Sequence, residues 1–398
     1  MGHEDAFPSW PTRAISSESD NRIKGQDILI ELAEDMLNPK ALLESLNDGV
    51  YAVDTDRKII YWGPSAERIT GWRSEDILGK RCSDGVLCHV DKDGRSLCGR
   101  EHCPLHRAMV TNNSSDLPII VFARHAKGRQ VPMRVSVAPI RNASGKVVGG
   151  VETFRDVSQE HEDAKLVRRI QATMLQKKVL KESRVTFTTH YLPWGMVGGD
   201  YYAMERIDKD DFAFILADVS GHGFAASLYT VYLNALWQTH FDLLSQPAKL
   251  AHVIHKKLAT LINNDTRFAT AIFGLLDLKK MCVTLAFAGG PTPLRFSSDG
   301  TLEVLEGSGI PLGMPIDTKY QEHSVTIRPG DCLLAFTDGV TEITNVNGKL
   351  LDVEGLVHIL REVDYPRAGD LKALEEKLLK FSDRIRFNDD LTFLEIRL

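Results

Sequence analysis

The stretch "FAFILADVSGHGFAASL", residues 212–228, runs six apolar residues into a lone Asp, a Gly-His-Gly and a string of small residues. A turn needs the glycines but not Asp218, and a salt bridge needs the Asp but not the glycines. Together they point to a small charged species approaching the backbone at the end of a buried strand. The same device recurs three times downstream and upstream. "VGGDYY" (197–202) delivers Asp200, "LLAFTDGVTE" (333–342) delivers Asp338, and "RFNDDLTFLEI" (386–396) delivers Asp389 and Asp390. Carboxylates at the rims of buried strands are costly to desolvate unless something positive meets them. No matching set of Arg or Lys lies beside them in the sequence. Hard divalent cations take all-oxygen ligands, and Mg²⁺ or Mn²⁺ suits carboxylates, main-chain carbonyls and water. Four Asp in one site can hold two such ions, and two metals about 4 Å apart can orient a shared water for in-line attack on phosphorus. Taken singly, each Asp reads better as a turn former or helix cap. The repetition of one strand-end context argues for a site.

Around these motifs, strands and helices alternate from residue 184 onward. Strands run directly into one another and helices come in blocks, which predicts α+β layering rather than a doubly wound parallel sheet. Upstream, "GVYAVD" and "KIIYW" read as two short strands, followed by helical pieces with Ser74 and Asp76 as candidate caps. Three alternating strands follow within 119–157, turned at "KGR" and "NASGK". Residues 1–38 read as a polar tail and an apolar-periodic helix over 26–37, with a second helix over 39–49. "SQEHEDAKLVRRIQATMLQKKVLKES" (158–183) has no Gly or Pro and predicts a connector helix. Val167, Ile170 and Met174 form a heptad-like seam that drifts toward Leu175 and Val179. It reads either as a solvated connector or as a short parallel coiled coil joining two protomers.

The 398 residues exceed one ordinary core and predict more than one domain. Hydrophobic residues make up 43% and charged residues 26%, which is globular composition, and the net charge of −6 without a basic block argues against nucleic acid as a partner. No apolar run approaches the roughly 20 residues of a membrane helix, and the polar, acidic start lacks a secretory pattern, so a cytoplasmic protein is expected.

Four of the six cysteines fall in "RCSDGVLCHVDKDGRSLCGREHCPLHRAM" (81–109): Cys82, Cys88, Cys98 and Cys103, with His89, His102 and His106 among them. In a reducing compartment such clustering leaves three readings open: a zinc or iron–sulfur site, redox thiols, or structural cysteines. The Cys-Pro-Leu-His run is also a sound helix start, with Pro in its first turn.

Two resemblances follow from these residues. "NDGVYAVDTDRKIIYWGPSAERITGW" (47–72) and the closing "FRDVS" resemble a PAS sensor domain over 39–157, with Gly63 where that family often carries Asn. "VGGDYY", "LADVSGHG", "AFTDGVTE" and "NDDLTFLEIRL", in that order, resemble the PPM serine/threonine protein phosphatases, and within them the bacterial stage II sporulation protein E class, over about 185–398. The resemblance implies an α+β chain: 1–38 tail and helix, 39–157 PAS domain, 158–183 helical linker, and 184–398 a PPM αββα sandwich. It implies two Mn²⁺ or Mg²⁺ ions, with Asp218 bridging both, the Val219 carbonyl on one, and Asp200 serving that same ion. Asp338 and Asp389 complete the other, and Asp390 caps backbone. It also implies phosphoserine or phosphothreonine hydrolysis on a protein partner, in bacterial relatives an anti-anti-sigma factor, and a homodimer through the PAS domain and linker. Gly290, in "AFAGGPTPL", stands where many relatives carry His. His222 reads as a loop residue shaping the turn or as a proton donor. Two alternatives remain: a catalytically silent docking module with a phosphatase fold, and a diguanylate cyclase, whose Gly-Gly-Asp-Glu-Phe signature "GGDYY" only half matches.

Overall fold

A computed structural model describes residues 39–92, 94–98, 102–114, 119–175, 179–221, 223–261, 266–383 and 387–398. The expected tail, the helix over 26–37 and His222 lie outside them. The chain divides into two compact units, residues 1–161 and 162–398. Among the described residues, no helix is long and apolar enough to cross a membrane.

In the first unit, the short helix α1 (Pro39–Ser45) precedes β1 (Gly49–Asp54) and β2 (Ile59–Trp62). Two small helices, α2 (Pro64–Thr70) and α3 (Ser74–Ile77), lead through an irregular turn at Cys82–Val86 to α4 (Pro104–Thr111). The strands β3 (Ile119–Arg124), β4 (Gln130–Arg141) and β5 (Val147–Asp156) then complete an antiparallel sheet of order β2-β1-β5-β4-β3. Alternation explains the core: Val121 and Ala123 of β3, and Val131, Met133, Val135 and Val137 of β4, face one apolar cluster with Tyr51, Trp62 and Phe154. Pro104 opens α4 as its sequence suggests. Ser74 and Asp76 do not cap α3. Arg73 occupies the cap position, and the Ser74 N–H donates instead to Glu67 Oε1 at 2.7 Å.

The connector is shorter than its composition predicts. Helix α5 runs Ser158–Met174, and Val179–Lys181 is a strand, β6, paired with Thr186–Thr188 of β7 (Thr186–Leu192). Helix propensity loses there to the edge of a sheet, because Leu180 packs on the second unit's core. Val167, placed in the expected coiled-coil seam, is 8% exposed and so lies inside its own chain.

The second unit holds two antiparallel sheets. One has order β14-β11-β10-β9-β8, from β8 (Asp200–Arg206), β9 (Asp211–Val219), β10 (Ala269–Asp277), β11 (Cys282–Ala288) and β14 (Glu322–Thr326). The other has order β13-β12-β15-β16-β7-β6, adding β12 (Leu294–Phe296), β13 (Leu302–Val304), β15 (Cys332–Phe336) and β16 (Leu391–Arg397). The strand period of two assigns the layers. Leu333 and Ala335 of β15, with Leu394 and Ile396 of β16, join the same core as Phe212, Phe214 and Ile215 of β9. That core continues onto α6 (Phe224–Thr239) and α7 (Pro247–Leu261) through Leu233, Trp237, Leu250 and Ile254. Leu334, Phe336, Leu391 and Phe393, one residue out of phase, face a separate core with α9 (Asp352–Glu362) and α10 (Leu371–Ser382). The result is helices, sheet, sheet, helices. α10 is capped by Asp370, whose side chain accepts the Ala373 N–H at 2.8 Å.

Candidate metal centre

Asp200 opens β8 and Asp218 is the second-last residue of β9, and the antiparallel register sets them directly opposite one another. Asp338 opens the four-residue helix α8 (Asp338–Thr341), immediately after β15, while Asp389 and Asp390 precede β16. Each carboxylate is thus carried to a strand end by an apolar run. The two sheets meet at Asp200, which is wholly buried. Its Oδ2 accepts the hydroxyls of Thr337 at 3.0 Å and Thr392 at 2.5 Å, both from the other sheet. Its Oδ1 is buried without a hydrogen-bond partner.

Burial first, and Asp390 second, push the Asp200 carboxyl far above the ordinary carboxylate range, against the opposing Thr392 and Thr337 hydroxyls. Burial, then Asp200, then contact with Asp338 push Asp218 up to about 12, and Asp389 contributes in the same sense. Among the described residues, no three His, Cys, Asp or Glu side chains stand at metal-holding spacing as a ready-made set. The carboxylates are gathered pairwise, around Asp218.

These residues fit divalent cations. The donor set is all oxygen, one buried oxygen of Asp200 is orphaned, and Asp200, Asp338 and Asp389 crowd Asp218 with like charge. The main chain is shaped to match. A Cβ on Gly199 would lie 2.7 Å from the Val219 carbonyl oxygen, so only glycine lets that carbonyl and Asp200 share a corner. A shallow cleft beside Asp218 is lined by Thr270, Gly290, Pro291 and Thr337, which places Gly290 at the site without a side chain.

Two residues hold this corner: Asp390, expected from the sequence to cap backbone, and Gln171, which sequence reading missed. Asp390 is 2% exposed, and its carboxylate accepts the main-chain N–H of Trp194 and of Gly199, each at 2.6 Å. Its own N–H donates to Asp389 Oδ1 at 2.8 Å. Gln171 of α5 is also buried. Its amide donates to the Gly198 carbonyl at 2.7 Å and the Thr230 hydroxyl at 3.0 Å, and accepts the Gly198 N–H at 3.3 Å. A polar residue within a helix seam carries no such message in one dimension. Because Gln171 fixes Gly198, Gln171→Ala is expected to leave the fold intact and weaken Mn²⁺ affinity about 10–100-fold, read by calorimetric titration.

The cysteines divide. Cys82 and Cys103 are buried and Cys98 half-buried, all within electrostatic reach of Tyr51. Cys88 turns away, its thiol toward the Ser83 carbonyl at 3.8 Å. His89 and Glu152 are 2% and 1% exposed and face each other at 3.7 Å, too far to bond. His89 Nε2, Glu152 Oε1 and Tyr51 Oη are all buried without a partner. Burial raises the Glu152 carboxyl, and His89 opposes the shift. A carboxyl raised above its unfolded value of roughly 4.3 stabilises fully below that pH and loses its contribution as pH rises through the folded value. Glu152→Gln is therefore expected to raise the melting temperature at pH 8 and leave it nearly unchanged at pH 4, measured by calorimetry.

The comparisons with known proteins agree with this architecture. Residues 208–398 match the Stage II sporulation protein E family, and residues 43–162 match the PAS fold. The two matches fall on separate stretches of the chain, the PAS fold first and the Stage II sporulation protein E family after it. Two relatives come from Bacillus subtilis (strain 168). Phosphoserine phosphatase RsbP is 29% identical over 185 residues, 46% of this chain and 46% of that protein. Phosphoserine phosphatase RsbU is 26% identical over 249 residues, 62% of this chain and 73% of that protein. The chain spans about half the length of RsbP. The solved SiaA-PP2C domain of Pseudomonas aeruginosa superposes with a TM-score of 0.54 at 19% identity, covering 60% of this chain and 97% of that one. That likeness identifies the PP2C fold of the second unit.

Proposed function

We propose that this chain is a metal-dependent protein phosphatase that hydrolyses phosphoserine or phosphothreonine, with a PAS unit governing it through α5. The feature that supports the reading is that Asp200, Asp218, Asp338 and Asp389 each stand at a strand end of the second unit, with Asp200 directly opposite Asp218. Two Mn²⁺ or Mg²⁺ ions are the cofactors, with Asp200, Asp218, the Val219 carbonyl, Asp338 and Asp389 as the groups that hold them. Bound there, such ions neutralise the carboxylates, make a water acidic enough to attack at neutral pH and polarise the phosphoryl oxygens.

The chain's own residues do the rest. Thr337 and Thr392 tie one oxygen of Asp200 and leave the other directed into the site. Asp390 holds the Gly199 and Trp194 N–H groups, which fixes the loop ahead of Asp200. Gln171 clamps that loop from α5, so a shift of α5 changes where Asp200 stands. Catalysis is gated by assembly of the site.

The substrate in this reading is a phosphorylated anti-anti-sigma factor, supported by the likeness to RsbP and RsbU, each named a phosphoserine phosphatase. The protein works in the cytoplasm, as a homodimer through its PAS unit and connector. The test is phosphate release by the purified chain from a phosphoserine protein, with and without Mn²⁺. Turnover that vanishes with a chelator supports the reading. No release from any phosphoprotein, with Mn²⁺ still bound, would favour a docking module, and a cyclic dinucleotide made from GTP would favour a cyclase.

A further inference from the structure

We propose that His255 is a positioning residue whose protonation fastens the segment 309–320 to α7 and so sets the wall of the cleft beside Asp218. His255 is 2% exposed, and both its ring nitrogens have partners on that segment. Nε2 lies 2.9 Å from the Ile316 carbonyl oxygen, and Nδ1 lies 3.0 Å from the Tyr320 hydroxyl. That hydroxyl in turn lies 2.8 Å from the Ile310 carbonyl oxygen. On the preceding turn of α7, His252 Nδ1 meets the Thr318 carbonyl oxygen at 2.8 Å.

This network is one proton short when the His255 ring is neutral. A carbonyl only accepts, so Nε2 must carry a hydrogen for Ile316. Burial raises the Tyr320 phenol, which keeps its single proton. In a neutral ring Nδ1 is then a bare acceptor and competes with the Ile310 carbonyl for that proton, so one contact lacks a hydrogen. In the imidazolium, Nδ1–H donates to the phenol oxygen, the phenol donates to Ile310, and Nε2–H donates to Ile316. All three contacts are then bonds. His252 needs no added proton, because a neutral ring already has the one hydrogen that Thr318 takes.

The segment reaches the site through its first half. Leu312 exchanges both main-chain hydrogen bonds with Ala269, at 2.7 and 3.0 Å. The next residue, Thr270, stands opposite Asp218 and lines the cleft. Pro311, directly after Ile310, lies against Gly289, where a Cβ would come within 2.9 Å of its ring, and Gly290 and Pro291 are cleft wall.

The charged and titratable groups on the elements around the ring are engaged elsewhere or face solvent. Asp277 closes β10 and holds Lys280 Nζ at 2.7 Å, and Cys282 opens β11. Glu322 of β14 accepts the Ala248 N–H at 3.2 Å, and the His323 ring meets Phe287 edge-on. Asp242, in the turn Phe241–Leu243, is exposed, as are Lys249, Lys256 and Lys257 of α7 and Asp317 and Lys319 of the segment.

The consequence for turnover rests on the phosphatase reading, and the latch itself does not. Amide hydrogen exchange of the full chain with Mn²⁺ present is followed by mass spectrometry at about pH 6 and about pH 8, corrected for the chemical exchange rate at each. Peptides spanning 309–320 and 266–272 are expected to lose protection about threefold to tenfold at the higher pH, the effect of one hydrogen bond. His255→Gln keeps a donor for Ile316 and cannot titrate, so its protection should agree at the two pH values within about twofold. His252→Gln should keep the wild-type response. Circular dichroism checks that each variant is folded. Equal wild-type protection of 309–320 at both pH values, or a pH response that survives in His255→Gln, overturns the proposal. A response in 309–320 that does not reach 266–272 overturns the link to the cleft. The expected exchange pattern without phosphate release would instead remove the phosphatase reading and leave the latch standing.

Discussion

Asp218→Asn is expected to lower Mn²⁺-dependent phosphate release by about 10³–10⁴-fold, the scale on which removing one member of a catalytic set acts. Asp218 faces Asp200 across β8 and β9 and feels both Asp338 and Asp389. Asn keeps its volume and removes the charge and one acceptor. The same change removes a carboxyl that burial first, and Asp200 second, push up to about 12. Without metal, the variant should therefore melt at or above the wild-type temperature, while the stabilisation that added Mn²⁺ gives the wild type disappears. Activity falling while metal-free stability holds or rises is the expected signature of a site strained for function. An Asp218→Asn protein that keeps a tenth or more of its turnover would remove Asp218 from the site altogether.

Asp390→Ala is expected to do the opposite to stability. Its carboxylate satisfies two main-chain N–H groups, a buried one on Gly199 and a part-buried one on Trp194, each at 2.6 Å. Stranding the buried donor costs about 1–3 kcal/mol, less whatever repulsion with Asp200 is relieved. Chemical denaturation of the metal-free chain measures it. Activity falls too, because Gly199 precedes Asp200. The two neighbouring Asp residues, 389 and 390, are thus separated by experiment: one should act through the cation and the other through the backbone.

The contrast between those two residues also marks where sequence reading stops. Asp-Asp in "NDDLTFLEI" reads as a pair of acids, and order along the chain favours the first as the ligand. That Asp390 folds back on a loop almost two hundred residues earlier is a property of three-dimensional register alone. Gln171 is the same case. Its neighbours in sequence say helix, and only the packing of α5 beside Gly198 and Thr230 gives its amide three partners. The connector's length was misjudged for a related reason, since Val179–Lys181 is held as strand by β7 and not by its own propensity.

What the sequence by itself determined is the layering and the delivery of charge. Strict alternation in β15 and β16 divides their side chains between two cores, and apolar runs that end in Asp bring carboxylates to strand ends, because burial decides both within a few residues. What only the tertiary structure decided is which of those groups meet. Asp200 opposite Asp218, and Thr337 and Thr392 on Asp200, all join distant segments. Contacts of that kind depend on how sheets stack and loops close, and no local pattern of hydrophobicity encodes them.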